Sequence, residues 1–116
     1  MSPALSAADL VAAGRSLAVP FHMTVTGEPG SQPLTVDSIQ CLEVLRLLPG
    51  RRLVARARVG ATQCVAKLFF GDGARRYYDR ERRGLQRIKD CGVPTPELLG
   101  CISLPDGAGF GLLLEW

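Results

Sequence analysis

Lys67 and Glu81 are the two side chains in this sequence best placed to do chemistry together. Lys67 lies inside the apolar run Val65-Ala66-Lys67-Leu68-Phe69-Phe70, and Glu81 follows fourteen residues later in a basic stretch. A lysine in an apolar strand is rarely buried alone, because an unpaired charge out of water is costly. A glutamate presented by a helix would supply the missing carboxylate and complete the pair. No comparable constellation occurs elsewhere. His22 has no carboxylate or nucleophile near it in sequence and reads as a surface or packing residue. Cys41, Cys64, Cys91 and Cys101 form no CxxC pair and stand far from His22, so no metal site is expected.

The strands that would carry Lys67 are legible from residue 36 onward. Ile39 to Leu48 is rich in Leu, Ile and Val and reads as a strand, closed by the turn signal Pro49-Gly50. Leu53 to Val59 alternates, with Arg56 and Arg58 on one face and Leu53, Ala55, Ala57 and Val59 on the other. Gly60-Ala61 turns the chain into a third strand, Thr62 to Phe70. Short turns between the three predict an antiparallel meander. Leu98 to Leu104 and Phe110 to Trp116 read as two further strands, joined by the turn Pro105 to Gly109.

Glu81 is placed by the helix expected from Ala74 to Lys89. At 100° per residue, Ala74, Tyr77, Tyr78, Glu81, Gly84, Leu85 and Ile88 fall on one stripe. Glu81 is the one charged residue centred there, and Asp79 points away. Cys91-Gly92, then Pro94 and Pro96, end the helix. Three strands, a helix and two strands predict an α+β fold: a five-stranded antiparallel sheet with the helix on one face.

Residues 1–35 differ in character and read as an N-terminal extension, either packed on the domain 36–116 or partly mobile. Ser6-Ala7-Ala8-Asp9 resembles a capping box and opens a short helix from Ala7 to about Leu17. Phe21 to Thr26 reads as a short strand, and Gly27 to Pro33 as a loop.

Composition bounds the rest. A chain of 116 residues, 47% hydrophobic and 22% charged, is an ordinary single globular domain. A net charge of +3 is too small to argue for nucleic acid. The charge is uneven, because Arg75, Arg76, Arg80, Arg82, Arg83, Arg87 and Lys89 crowd one helix. That face is either a solvated helix surface or an anion-facing one, for an anionic glycolipid or the inner membrane surface. Nucleic acid is the weaker partner, since Tyr77 and Tyr78 turn toward the apolar stripe. Three cysteines lie in strand-like or helix-end sequence and read as buried free thiols, which points to a reducing, cytoplasmic compartment. The first basic residue is Arg15, so no charged signal-peptide n-region precedes it.

The same order of elements resembles the N-terminal lobe of the protein-kinase-like fold. Val65-Ala66-Lys67 resembles that fold's ATP-binding lysine motif, Glu81 with Leu85 and Ile88 its C-helix glutamate pattern, and Leu113-Leu114-Glu115-Trp116 the strand entering its hinge. Leu47 to Leu53, the spacing to Lys67 and Gly92-Val93-Pro94-Thr95-Pro96 most resemble the bacterial lipopolysaccharide (Kdo/heptose) kinases. The resemblance covers residues 36–116. It implies that Lys67 holds the α- and β-phosphates of ATP and that Glu81 holds Lys67. It also implies that Leu114 takes the gatekeeper place, with the Glu115 carbonyl facing the adenine amino group. Gly50 is the single glycine where typical kinases carry a glycine-rich loop. The turn at Gly50 is either a plain hairpin with solvated arginines or a phosphate cover in which Arg51 or Arg52 replaces backbone amides.

No segment like the catalytic-loop His-Arg-Asp or the Asp-Phe-Gly occurs, so the base and the magnesium ligands of that chemistry are missing. The resemblance therefore implies an ATP-binding lobe of a kinase acting on lipopolysaccharide core sugar or a similar glycolipid. The chain would take ATP with magnesium only alongside a catalytic lobe, and would be inactive alone. The alternative is a noncatalytic kinase-like binding or regulatory module. An isolated lobe would also expose an apolar cleft face, which favours a homo-oligomer.

Overall fold

A computed structural model describes residues 2–14, 16–27 and 37–116. The fold is α+β, as expected, but its sheet has seven antiparallel strands rather than five, so it is not the bare five-stranded lobe that the resemblance implies. The elements are α1 (Ala7–Ala12), β1 (Phe21–Thr24), β2 (Thr26–Gly27), β3 (Ser38–Leu48), β4 (Arg52–Val59), β5 (Thr62–Phe70), α2 (Ala74–Asp90), β6 (Leu98–Ser103) and β7 (Gly109–Glu115). The strand order is β1-β3-β4-β5-β7-β6-β2.

The two additional strands come from one piece of chain. Phe21 to Thr24 pairs with β3 at one edge, and after Val25 the chain pairs Thr26 and Gly27 with Ser103 and Ile102 of β6 at the other. The expected single strand Phe21 to Thr26 is thus split at Val25, and one segment joins both edges. The sheet curls into a nearly closed barrel. The physical reason is twofold. Exposed edges leave unpaired backbone groups, and Phe21, Met23 and Val25 alternate with the correct period to face inward.

All three are buried with Ile39, Leu53, Ala55, Ala66, Leu68, Ile102 and Leu113 in the barrel interior. Helix α1 closes the interior with Ala7 and Leu10. Its capping box forms: the Ser6 hydroxyl accepts from the Asp9 N–H at 3.3 Å, and the Asp9 carboxylate accepts from the Ser6 N–H at 2.8 Å. The helix ends at Ala12 rather than near Leu17, because Gly14 adopts φ +67 and turns the chain left-handed. The proposed division at 35/36 and most of the Gly27 to Pro33 loop lie outside the described residues.

The other face of the sheet is covered in part by α2. Phe69, Cys101 and Leu112 are buried against Ala74 and Tyr78, with Leu85 and Phe110 half-buried around them. The Tyr78 ring stacks on Phe110 at 5.3 Å and meets Phe69 edge-on at 6.1 Å. Ile88 departs from the expected stripe and is 44% exposed, since the helix runs past the sheet there. Among the described residues, no helix is long and apolar enough to cross a membrane.

Candidate functional site

Cross-strand register sets the geometry. Residues directly opposite each other share a face, so the α2 side of the sheet reads as successive rows across β3, β4, β5 and β7. One row is Leu48, Arg52, Phe69 and Phe110, the next Arg46, Val54, Lys67 and Leu112, and the third Glu43, Arg56, Val65 and Leu114. Helix α2 covers Phe69, Phe110 and Leu112. Val54 and Val65 are only half-buried. Lys67 stands at the boundary between the covered part and the open part.

From that boundary the Lys67 ammonium donates to Glu81 Oε1 at 2.6 Å. The side chains are 25% and 30% exposed, so the pair is neither sealed nor fully solvated. The helix wheel selects Glu81 correctly over Asp79, which instead accepts from Arg75 at 3.3 Å on the helix surface. An ammonium held this way keeps two of its three N–H donors for other acceptors. It is a fixed positive point at the rim of an apolar floor formed by Val54, Val65 and Leu114.

Leu114 is 4% exposed and lies opposite Val65, two residues along the same face from Lys67. Glu115 is committed to the neighbouring strand: its N–H donates to the Glu97 carbonyl and its carboxylate accepts from the Glu97 N–H, both at 2.9 Å. Gly50 and Arg51 sit in the β3–β4 hairpin, with Gly50 at φ +74. The Arg51 carbonyl accepts from the Phe70 N–H at 2.9 Å, which ties the hairpin to the end of β5. Gly71 packs so closely that a Cβ there would lie 2.2 Å from the Gly50 carbonyl oxygen. Gly50 and Arg51 line a hollow with Val11 of α1 and with Gly71 and Asp72 of the β5–α2 turn, and neither Lys67 nor Glu81 lines it. The structure therefore brings Lys67, Glu81 and Leu114 together, and leaves Arg51 outside that group.

Two arginines were within reach of sequence reasoning as members of the Lys67 face. Arg56 was legible from alternation along its strand. It donates to Glu43 at 3.3 Å and lies 5.8 Å from the centre of the Trp116 ring. Arg52 shares the face as well, its guanidinium 5.3 Å over the Phe69 ring. Alternation puts Arg52 in phase with Arg56 and Arg51 in phase with Leu53; the register with β5 then sets Arg52 beside Lys67.

A wide groove lies elsewhere among the described residues. It measures about 1000 Å³ and runs between the α2 face carrying Arg82, Gln86 and Lys89 and the segment carrying Val93, Pro94 and Leu98. Neither Lys67 nor Glu81 lines it, and its openness to solvent makes volume a poor guide to chemistry. Cys41, Cys64 and Cys101 are buried and Cys91 is exposed, and none of the four is in a disulfide. Burial, and secondarily the nearby Cys64 thiolate charge, pushes Cys41 up to about 12, and burial raises Cys64. Neither is a nucleophile at neutral pH. His22 accepts or donates at Nδ1 with the Ser2 hydroxyl at 3.0 Å, a packing contact. Among the described residues, no three His, Cys, Asp or Glu side chains converge as a metal site. Compared with protein-family models, curated proteins and solved structures, the chain matches none.

Proposed function

We propose that the Lys67 face binds the phosphates of a nucleotide, as the ATP-binding part of a kinase-like phosphotransferase. The observation that carries the reading is the 2.6 Å pair between a mid-strand lysine and a helix glutamate, at the edge of an apolar floor. A fixed ammonium neutralises phosphate oxygens, and the half-buried Val54 and Val65, backed by the buried Leu114, offer an apolar surface to a base. The lysine–glutamate arrangement is the part of phosphoryl transfer that positions the nucleotide rather than the part that moves the proton. The resemblance assigns the magnesium ligands of that chemistry to a catalytic lobe rather than to these strands. By this reading the 116 residues place a nucleotide and do not transfer phosphate. A lipopolysaccharide core sugar or similar glycolipid as acceptor rests on the resemblance alone. The exposed Arg80, Arg83, Arg87 and Lys89 would suit an anionic surface of that kind.

The test is an NMR titration of the chain with ATP. Shift changes should cluster at Val54, Val65, Lys67 and Leu114, and Lys67→Met should weaken binding about tenfold, the value of one charge-assisted contact. Binding that ignores Lys67→Met would remove the reading. A noncatalytic nucleotide-binding module differs in one respect: supplying a catalytic lobe in trans would never produce turnover.

A further inference from the structure

We infer that Arg52 is a second phosphate-binding residue of the same face, taking the place that a glycine-rich turn would otherwise fill with backbone amides. This rests on the nucleotide reading above and names which arginine of the hairpin serves it. Arg51 and Arg52 are adjacent in sequence, and alternation alone says only that they face opposite ways, not which of them stands beside Lys67.

The register does. Arg52 stands opposite Phe69, and Val54 stands opposite Lys67. Arg52 is therefore the diagonal neighbour of Lys67 on one face, about 7–8 Å away at the backbone. Both side chains are long enough to reach a common ligand. Arg51 lies in the turn before β4, out of phase with Arg52, Val54 and Arg56, and lines a hollow with Val11 that Lys67 does not line.

The local environment supports a ligand contact rather than a structural ion pair. Five cations lie on this face: Arg46, Arg52, Arg56, Arg58 and Lys67. Lys67 has Glu81, Arg56 has Glu43, and Arg58 donates to the Gln40 amide oxygen at 2.7 Å. Arg52 has no carboxylate within ion-pair distance among the described residues. It is instead half-buried, with its guanidinium 5.3 Å over the Phe69 ring. A ring contact restricts the guanidinium plane and leaves N–H donors at its edge. A planar fork of donors beside a point-charge ammonium suits a chain of phosphates, because the fork binds two oxygens at once. Arg46 also lacks a carboxylate but is exposed and one strand farther from Lys67.

Calorimetric titration of the full chain with ATP, ADP, AMP and inorganic tripolyphosphate tests the assignment. Arg52→Gln should weaken ATP and tripolyphosphate about tenfold and leave AMP nearly unchanged. Arg52→Lys should restore part of the loss. Arg51→Gln and Arg46→Gln should change ATP affinity by less than about threefold, the scale of a screened surface charge. An Arg52→Gln variant that binds ATP normally while Lys67→Met does not would overturn the Arg52 assignment and leave the nucleotide reading standing. Equal losses from Arg46→Gln, Arg51→Gln and Arg52→Gln would overturn it in favour of a diffuse field. If the unsubstituted chain takes neither ATP nor tripolyphosphate, both readings fall. A thermal melt of Arg52→Gln separates lost contact from lost fold.

Discussion

The two faces of the sheet are built from the same strands and do opposite things. Along β4, Leu53, Ala55 and Ala57 are fully buried inside the barrel, while Arg52, Val54 and Arg56 between them are half-exposed outside. Along β5, Ala66 and Leu68 go inward, and Lys67 goes outward between them. The inner face is closed by α1 and by the segment that joins both sheet edges. Among the described residues, the side chains buried there are apolar groups and thiols. The outer face is covered only in part by α2, and it carries Arg46, Arg52, Arg56, Arg58 and Lys67. A sheet whose inside is complete without α2 can tolerate charges under and beside that helix. The stability lives on one side and the candidate chemistry on the other, and substitutions on the two sides should differ in kind.

The sharpest way to break that contrast is Phe21→Ala. Phe21 is 0% exposed and belongs to the joining segment. Truncating a buried phenylalanine costs about 3–5 kcal/mol, read from urea unfolding. A loss below about 1 kcal/mol, the range of surface positions, would mean that the N-terminal segment is not part of the core. The second effect is chemical. Cys41 is pushed from an ordinary 9.0 up to about 12 by burial, while an unfolded chain ionises normally. Above pH 9.0 the unfolded state sheds a proton that the folded state keeps, so the unfolded state binds fewer protons. Stability should therefore fall steadily as pH rises from 9.0 toward about 12. Cys41→Ala, compared by urea midpoints across that range, should flatten the slope. An unchanged slope would show that the inner face admits water at Cys41.

Much of this division was legible in the sequence. Alternation gave both faces of Leu53 to Val59, and the helix wheel picked Glu81 before any contact was known. Periodicity works there because each residue's face depends only on its own element. The joining segment was missed because its role is non-local. Phe21 to Thr26 looks like one ordinary strand, and nothing in it announces that Val25 divides two edges of one sheet. Ile88 failed for a related reason: a wheel assigns a direction, but only the length of the sheet beneath decides whether anything is there to meet. Alternation separates Arg52 from Arg51, but that Arg52 stands diagonal to Lys67 is set by register with β5, a pairing that turn residues constrain but do not state.

The outer face sharpens the comparison through two ion pairs that look alike in a residue table. Lys67–Glu81 is 25% and 30% exposed and joins a sheet to a helix, while Arg56–Glu43 is 30% and 56% exposed and joins adjacent strands. Double-mutant cycles with Lys67→Met and Glu81→Gln should give about 1–2 kcal/mol of coupling. That lies between the ~0–1 kcal/mol of exposed pairs and the ~3–5 kcal/mol lost when a buried pair is broken. The same cycle on Arg56→Met and Glu43→Gln should give about 0.2–0.5 kcal/mol and should fade as salt is raised. Equal couplings would remove the distinction between a pair held for a purpose and a pair of solvated neighbours. The expected difference has a physical cause: α2 shields Lys67 and Glu81 from water on one side, whereas the Glu43 side chain is more than half exposed. The stronger pair is also the one that holds an ammonium still at the rim of the apolar floor, so its coupling measures how firmly the candidate site is set before any phosphate arrives.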